Sequence, residues 1–324
     1  MLPAPAGIYP YSHCNERIEM LRFALKRLLV AALVALAVSA ISFALAYLAG
    51  DPAIAIAGSG ASARDAELVR QLYGFDRPLP EQYLRWIGGI LQGNLGNSYY
   101  FNMPVGQIIG ERIPVTLLLG VSAFLLALAV SIPLGVLGAL KPGGIVDRLA
   151  LLIAVTGQAI PSFWLGLILI VIFGVWLGVV PISGADSWQG YLLPVIVLSY
   201  YATPALMRLM RASMMDVMQA DYIRTARSKG IGMRAVVTRH AMRNAILALV
   251  SVAAVQLGIL LSGSIVIESV FALNGLGRLA WESLLRSDLP VVQGIILILS
   301  LIYVVLTTLA DLINAWLDPR IRES

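Results

Sequence analysis

The chain has 324 residues, of which 59% are hydrophobic and only 13% are Asp, Glu, Lys or Arg, with a formal net charge of +5. An average soluble domain carries roughly a quarter charged residues, so a water-soluble fold could not cover this much apolar surface. The single cysteine, Cys14, excludes an internal disulfide, and with His13 and His240 as the only histidines it argues against a protein-built metal centre.

In chain order, residues 1–19 are polar and proline-bearing, and Met20 opens MLRFALKRLL, a basic start that runs straight into an apolar stretch. A genuine extension and a misassigned start codon both fit. SFALA and VSA offer the small residues of a cleavage site, but the apolar run exceeds a signal core and favours a retained first helix over residues 20–50. Uncharged runs then mark the spans at 28–50, 113–140, 149–185 (helical until GVVPISG turns away), 187–207, 244–267 and 289–310. Each approaches or exceeds the roughly 20 residues that cross a hydrocarbon core. The expected fold is all-α and polytopic, with six transmembrane helices and both termini on one side. Residues 113–318 would form a five-helix core, and 319–324 a tail.

Residues 51–112 are the largest segment outside the membrane. Gly74, Pro78 and Pro80 break it, and EQYLRWIGGIL reads as a short amphipathic helix with Tyr83, Trp86 and Ile87 on its apolar side. Tyr99, Tyr100 and Phe101 precede the second span, as an interfacial aromatic belt or as a lid or docking surface for a delivered substrate. Inside the spans, Pro133, Pro161, Pro194 and Pro204 remove helix donors, and GVLG at 135–138 and GILLSG at 258–263 permit close helix contact. Such helices suit a bundle with a cavity or a moving gate.

Mid-span ionisable groups are nearly absent. The third span offers Thr156, Gln158 and Ser162, and the fifth Gln256, Ser262 and Ser264. Glu268 and Asp311 fall near span ends, where interface placement is expected, with a gate or cavity role as the alternative. This weighs against a proton- or sodium-coupled carrier, which needs a polar or charged mid-membrane site.

Lys and Arg set the orientation. With the N-terminus inside, the inner segments hold Arg17, Arg22, Lys26, Arg27, Lys141, Arg148, Arg208, Arg211, Arg224, Arg227, Lys229, Arg234, Arg239, Arg243, Arg320 and Arg322. The outer ones hold only Arg64, Arg70, Arg77, Arg85, Arg112, Arg278 and Arg286. The bias places both termini and the link 216–243 in the cytoplasm, and the charge is spent on topology rather than on nucleic acid. The motifs of catalysis are missing. There is no G-x-x-x-x-G-K-[ST], KPGG at 141–144 is too short to cradle phosphates, and no H-E-x-x-H occurs. LSGS at 261–264 has no base histidine in a span and reads as a packing face.

The link between the fourth and fifth spans is helix-compatible in two pieces. MRLMRASMMDVMQADYIRTARSK runs to a break at Gly230 and Gly232, and MRAVVTRHAMRNAILALV feeds the next span. Lipid anchoring by basic residues accounts for the charge, but not for a helix, a double-glycine turn and a second helix. A short transverse helix here would fit a groove on a partner protein and transmit its motion.

Against this background the chain resembles the permease subunit of a bacterial ATP-binding cassette importer of the dipeptide, oligopeptide and nickel type. It is most similar to the first of the two permeases in such systems, which has the large external loop. GFDRPLPEQYLRWIGGILQGNLGNS, ERIPVTLLLG, AIPSFWLGLILI, DYIRTARSKG…RHAMRNA, IESVFALNGLGRLAWESLLRSDLPVVQG and DLINAWLDPRIR carry the resemblance, which covers the chain from Met20. It implies a type I importer permease fold in the bacterial inner membrane. The partners implied are a second related permease, two ATPase subunits that use ATP and Mg, an external substrate-binding protein and membrane lipid. No cofactor or metal is expected on this chain, and no catalysis. The resemblance further implies that Asp221, Tyr222, Arg224, Thr225, Ala226, Lys229 and Gly230 belong to a coupling helix seated in an ATPase cleft. Tyr222 and Ala226, four apart, would share its face.

Arg224, Thr225 and Ala226 stand where the general importer signature has Glu-Ala-Ala, and a proline at its end is replaced around Arg243. Asn274–Gly275 replaces the usual Pro-Gly, and the turn should survive because Asn and Gly also suit turns. Glu268, Asn274, Gly275 and Gly277 are candidate gate or external-face residues. The alternatives are a stand-alone secondary transporter or channel subunit, and an exporter permease of the same family. Dipeptides, longer peptides, glutathione, nickel chelates and opines are not separated by the sequence.

Overall fold

A computed structural model describes residues 12–48, 51–58, 60–185, 187–262 and 264–317. Residues 1–11 of the extension, the 49–50 end of the first predicted span, Gly263, and the tail with Arg320 and Arg322 lie outside the described residues. Among the described residues the elements are helical, with one isolated bridge between Asn97 and Pro104 and no sheet.

Helix α1 (Ser12–Leu48) runs through Met20 without a break. Leu25, Leu28, Leu29, Leu33 and Leu36 are exposed while Ser39 and Ser42 are buried. An apolar exterior over polar contacts is the pattern of a helix whose solvent is lipid. Three short helices follow: α2 (Pro52–Ala57), α3 (Ala63–Tyr73) and α4 (Leu79–Leu91). A capping box starts α3, with the Asp65 N–H donating to Ser62 Oγ at 3.3 Å and the Ser62 N–H to Asp65 Oδ2 at 3.0 Å. Gly74 closes it in the left-handed conformation. The amphipathic reading of α4 holds: Tyr83 and Trp86 pack against Phe43 of α1 with ring centroids 5.5 and 5.7 Å away. The Tyr83 hydroxyl lies 2.7 Å from Ser39 Oγ.

Helix α5 (Val105–Leu140) is 36 residues long and passes through Pro114 and Pro133. At 1.5 Å per residue it measures about 54 Å, well beyond the roughly 30 Å hydrocarbon core. The α2–α4 module and the 141–144 turn therefore lie at opposite ends of the bundle. The third predicted span is two helices, α6 (Ile145–Ala159) and α7 (Ser162–Leu169), bent by 101° to each other, with α7 continuing as π-helix over Ile170–Trp176. The kink expected at Pro161 is a full break. A residue before proline is driven out of the α region, and Ile160 sits at φ −88°, ψ 120°.

A 3₁₀ turn at Trp188–Tyr191 leads into α8 (Leu192–Gln219), which makes the most extensive helix contact of the chain, with α5. Gly135 sets its closeness: a Cβ there would lie 2.8 Å from Met207 O and 2.9 Å from Met210 Cβ. The link then runs through α9 (Asp221–Ser228), α10 (Met233–Ala235) and π-helix Val236–Ala241 into α11 (Met242–Ser262). Its first predicted piece is thus divided, because Ala220 takes an extended backbone (φ −65°, ψ 148°) between α8 and α9. Finally come α12 (Ile265–Val270), α13 (Leu276–Leu285) and α14 (Leu289–Leu317), the last packed along α1 and α11. Among the described residues five helices are long and apolar enough to cross a membrane, and the bent α6–α7 pair makes a sixth crossing if it acts as one span.

The Ser62 hydroxyl, and then the Ser62 N–H, hold the Asp65 carboxyl below its ordinary value. A depressed carboxyl contributes stability above its unfolded pKa and loses it as pH falls through the folded value. Amide protection factors in α3, corrected for intrinsic exchange, should therefore fall below about pH 4. Ser62→Ala should lower them at neutral pH and flatten that pH dependence.

Candidate functional site

The basic link forms a small built object. On α9, Ile223 and Ala226 are 0% and 7% exposed and face the bundle, where α9 leans on α8 and the π-helical segment. Asp221, Arg224, Thr225 and Ser228 face outward, with Asp221 and Arg224 side chains 95% and 73% exposed and only loosely paired at 3.4 Å. Asp221 in the first turn and Arg227 in the last complement the helix dipole. Lys229 follows, also exposed.

Gly230 ends the helix in a Schellman closure. Its N–H donates to Arg227 O at 2.9 Å and the Ile231 N–H to Ala226 O at 3.3 Å, with Gly230 at φ +77°. Ile231 packs against the same buried cluster that holds Ala226. No atom lies within 4 Å of where a Gly230 Cβ would stand. The glycine is there for its backbone conformation, not for room.

Tyr222 and Ala226 do not share an exposed face. Ala226 is buried, whereas Tyr222 is 42% exposed and its hydroxyl accepts a 2.7 Å hydrogen bond from Asn244 Nδ2. The four-residue spacing keeps the two on one side of the helix, with the smaller, apolar Ala226 against the bundle and Tyr222 reaching out to Asn244.

Beside this object lies an ion pair that the sequence did not single out. Arg211 on α8 donates through Nε to Asp147 Oδ1 at 2.6 Å and through a terminal nitrogen to Oδ2 at 3.0 Å. The Gly143 N–H adds a third bond to Oδ2 at 2.8 Å. Asp147 is 3% exposed. The pair fastens α8, just before the α9 break, to the α5–α6 turn. KPGG followed by an acid three residues on is its only trace in the sequence.

Towards the other end of α5, Glu268 is 0% exposed, enclosed by protein rather than facing lipid or water. Its Oε1 accepts from Thr116 Oγ1 at 2.7 Å and Ser264 Oγ at 2.8 Å, and its Oε2 from the Arg278 N–H at 2.9 Å. The Leu276 N–H donates to Thr116 Oγ1 at 2.8 Å. The carboxylate thus sits on the N-terminus of α13, where backbone donors and the helix dipole favour an anion. Gly275 and Gly277 join it, while Asn274 is exposed. A Cβ on Gly275 would collide with the carboxylate, and one on Gly277 would lie 2.7 Å from Ile265 Cα. Gly275 has φ −99° and ψ −174°, extended backbone open to any residue, so proximity to Glu268 is what demands glycine there.

The aromatic segment 99–101 is tied to the turn before α14. Asp288, 0% exposed, accepts from Ser98 Oγ, from the Tyr99 N–H at 3.1 Å and from the Tyr100 N–H at 3.4 Å. Arg286 lies over the Tyr100 ring, 3.7 Å from its centroid. Asp311 pairs with Arg27 at 2.7 Å, tying α14 to α1. Among the described residues no group of three or more His, Cys, Asp and Glu could hold a metal ion.

Comparison with known proteins is extensive. The profile of the binding-protein-dependent transport system inner membrane component matches residues 131–323, and that of its N-terminal region matches residues 20–120. The glutathione transport system permease protein GsiC of Escherichia coli O6:H1 is 41% identical over 304 residues, covering 94% of this chain and 99% of that one. A Brucella abortus protein with the provisional name "peptide transport system permease protein" is 40% identical over 307 residues, covering 92% and 98%. Among solved structures, a chain of the inward-facing MetNI methionine ABC transporter superposes with a TM-score of 0.56. It is 19% identical and covers 65% of this chain and 97% of that one, so the likeness is one of fold.

Three substitutions separate the demands at Gly230 from those at Glu268. Gly230→Ala should destabilise by about 1–2 kcal/mol, the cost of a left-handed L-residue, and Gly230→Asn by less. Glu268→Ala orphans buried donors at roughly 1–3 kcal/mol each. Thermal unfolding in detergent should therefore rank Glu268→Ala below Gly230→Ala, and Gly230→Ala below Gly230→Asn.

Proposed function

The chain belongs to the binding-protein-dependent transport system inner membrane components, and from that premise we propose that it is the permease of an ATP-driven importer of small peptides or glutathione-like solutes. Relatives named for peptide and glutathione transport, aligned over nearly their full length, support the substrate class. In this reading the chain supplies half of the translocation path in the bacterial inner membrane and a second, related permease the other half. Two ATPase subunits dock on the cytoplasmic side, and a binding protein delivers solute to the outer face. The excess of Lys and Arg in the alternate segments supports cytoplasmic termini. No bond is made or broken by this chain.

The observation that carries the proposal is α9. It is a two-turn helix anchored by Ile223 and Ala226, closed by Gly230, and presenting Asp221, Tyr222, Arg224 and Thr225 outward, their side-chain bonds confined to Asn244 and to the helix itself. A rigid, shallow, charged-and-aromatic projection is suited to a cleft on another protein. Closure of the ATPase pair would push α9. The push would pass through α8 and the π-helical segment that seat it, and through Arg211–Asp147 to the α5–α6 turn. Because packed helices shift between discrete arrangements rather than deform continuously, a small movement there can switch the spans between inward- and outward-facing states. A secondary carrier would instead need a loosely held mid-membrane charge. Glu268 and Asp147 are buried, and each is already taken up by several protein donors.

Tagged protein co-expressed with its gene neighbours tests this. Wild type should retain an ATPase and a second permease on pull-down. Gly230→Trp, whose side chain would stand out at the end of α9 with no atom within 4 Å of its base, should lose the ATPase and keep the permease. Wild type that comes out alone and moves solute in liposomes without ATP would replace this proposal with the secondary-carrier one.

A further inference from the structure

We propose that the cavity between the α2–α4 module and the ends of α1 and α14 is a binding site for a small peptide, held by its free C-terminal carboxylate. The cavity measures about 740 Å³, within the range of small-molecule sites. Its lining has three kinds of surface. Tyr73 and Phe75, stacked with their planes 8° apart, and Trp86 supply aromatic walls. Asn97, Asn102 and Gln293 supply amides that can both donate to and accept from a peptide backbone. Among the described residues that line it, Arg85 is the one charged side chain and none is a carboxylate.

The charge balance makes Arg85 the recognition group. Among the described residues the acid it pairs with is Glu81, whose Oε1 it approaches at 3.2 Å, and the same oxygen already takes Arg77 at 2.7 Å. One carboxylate between two guanidiniums leaves a net positive charge. Arg85, 59% exposed, carries it at the rim, with planar donors that suit a bidentate carboxylate. An acyl chain would find amides spread through the walls. A cation would find no acid. A peptide with a free C-terminus satisfies all three surfaces at once: carboxylate on Arg85, backbone on the amides, side chains on the rings.

The site's position is what gives it a task. Its floor includes Phe43 near the end of α1, and Leu289, Pro290 and Gln293 at the start of α14. In the importer reading, on which this role rests, that is the outer mouth of the spans. The cavity would then receive solute before it enters the path and discriminate peptides from their C-terminally blocked forms.

The test uses the full transporter complex in nanodiscs, with radiolabelled trialanine and trialanine amide as probes in equilibrium dialysis. Trialanine should bind saturably to wild type without ATP, and the amide roughly ten-fold or more weaker, as for loss of a charge-assisted bond. Arg85→Gln should abolish that difference, while Arg64→Gln, on α3 and outside the lining, should preserve it. Pull-down of the ATPase with Arg85→Gln verifies that the variant is folded. Absence of saturable binding, equal binding of acid and amide, or an unchanged difference in Arg85→Gln each overturns the proposal. So does a phospholipid found by native mass spectrometry to depend on Arg85. If the ATPase does not co-purify with wild type yet Arg85-dependent binding persists in the isolated chain, the importer reading fails and the site stands.

Discussion

The close approach of α5 to α8 is the constraint on which the rest of this chain depends. In a hydrocarbon solvent two apolar helices gain little from hiding surface against each other, so association rests on tight packing and a few polar ties. Gly135 supplies the packing by letting the Met207 carbonyl and Met210 come against the α5 backbone. The ties sit at either side of it. Arg211–Asp147 fastens α8 to the turn beyond α5, and Thr116 of α5 reaches Glu268 at the other end. Helix α9 has meaning only against this frame, because a lever needs a rigid body to push.

Much of the architecture was legible in the sequence because lipid is a simple selector. Uncharged runs of the right length became helices, the amphipathic EQYLRWIGGIL became α4, and the double-glycine punctuation after Ser228 became the end of a short helix. What the sequence did not disclose was where polar groups meet across long separations. Glu268 lies at the end of an apolar run, and nothing in that run shows that Thr116, 152 residues earlier, and the start of α13 converge on it beside Ser264. Asp147 and Asp288 were missed for a similar reason: Arg211 lies 64 residues from Asp147 and Ser98 lies 190 from Asp288, and no local period marks such pairings. Boundaries also moved. A helix such as α5 keeps its hydrogen bonds past the charged residues Glu111 and Arg112, so counting uncharged residues placed its start eight positions late, at 113 instead of Val105.

The breaks in the helices are as informative as their lengths. A spanning helix satisfies its own backbone, and interruptions persist in the bundle only where protein covers them. In this chain Ile160–Pro161 divides a span and Ala220 divides the link, with Ile160 and Ala220 half-buried and Pro161 exposed. Both border α8, which therefore touches each point where the chain changes direction between α6 and α9. A single long helix is in contact with the bent crossing on one side and the projecting helix on the other.

The glycines at 230 and at 275 and 277 obey different laws. Around 275 and 277 the limit is volume, since an added carbon meets Glu268 or Ile265. At 230 the limit is chirality. The left-handed conformation is strained for an L-residue and relaxed for its mirror image, and the position opens outward. A D-amino acid installed there by chemical ligation would keep the helix closure intact whatever its bulk. Position 230 is thus a point where a spectroscopic reporter can be mounted on the lever without bending it.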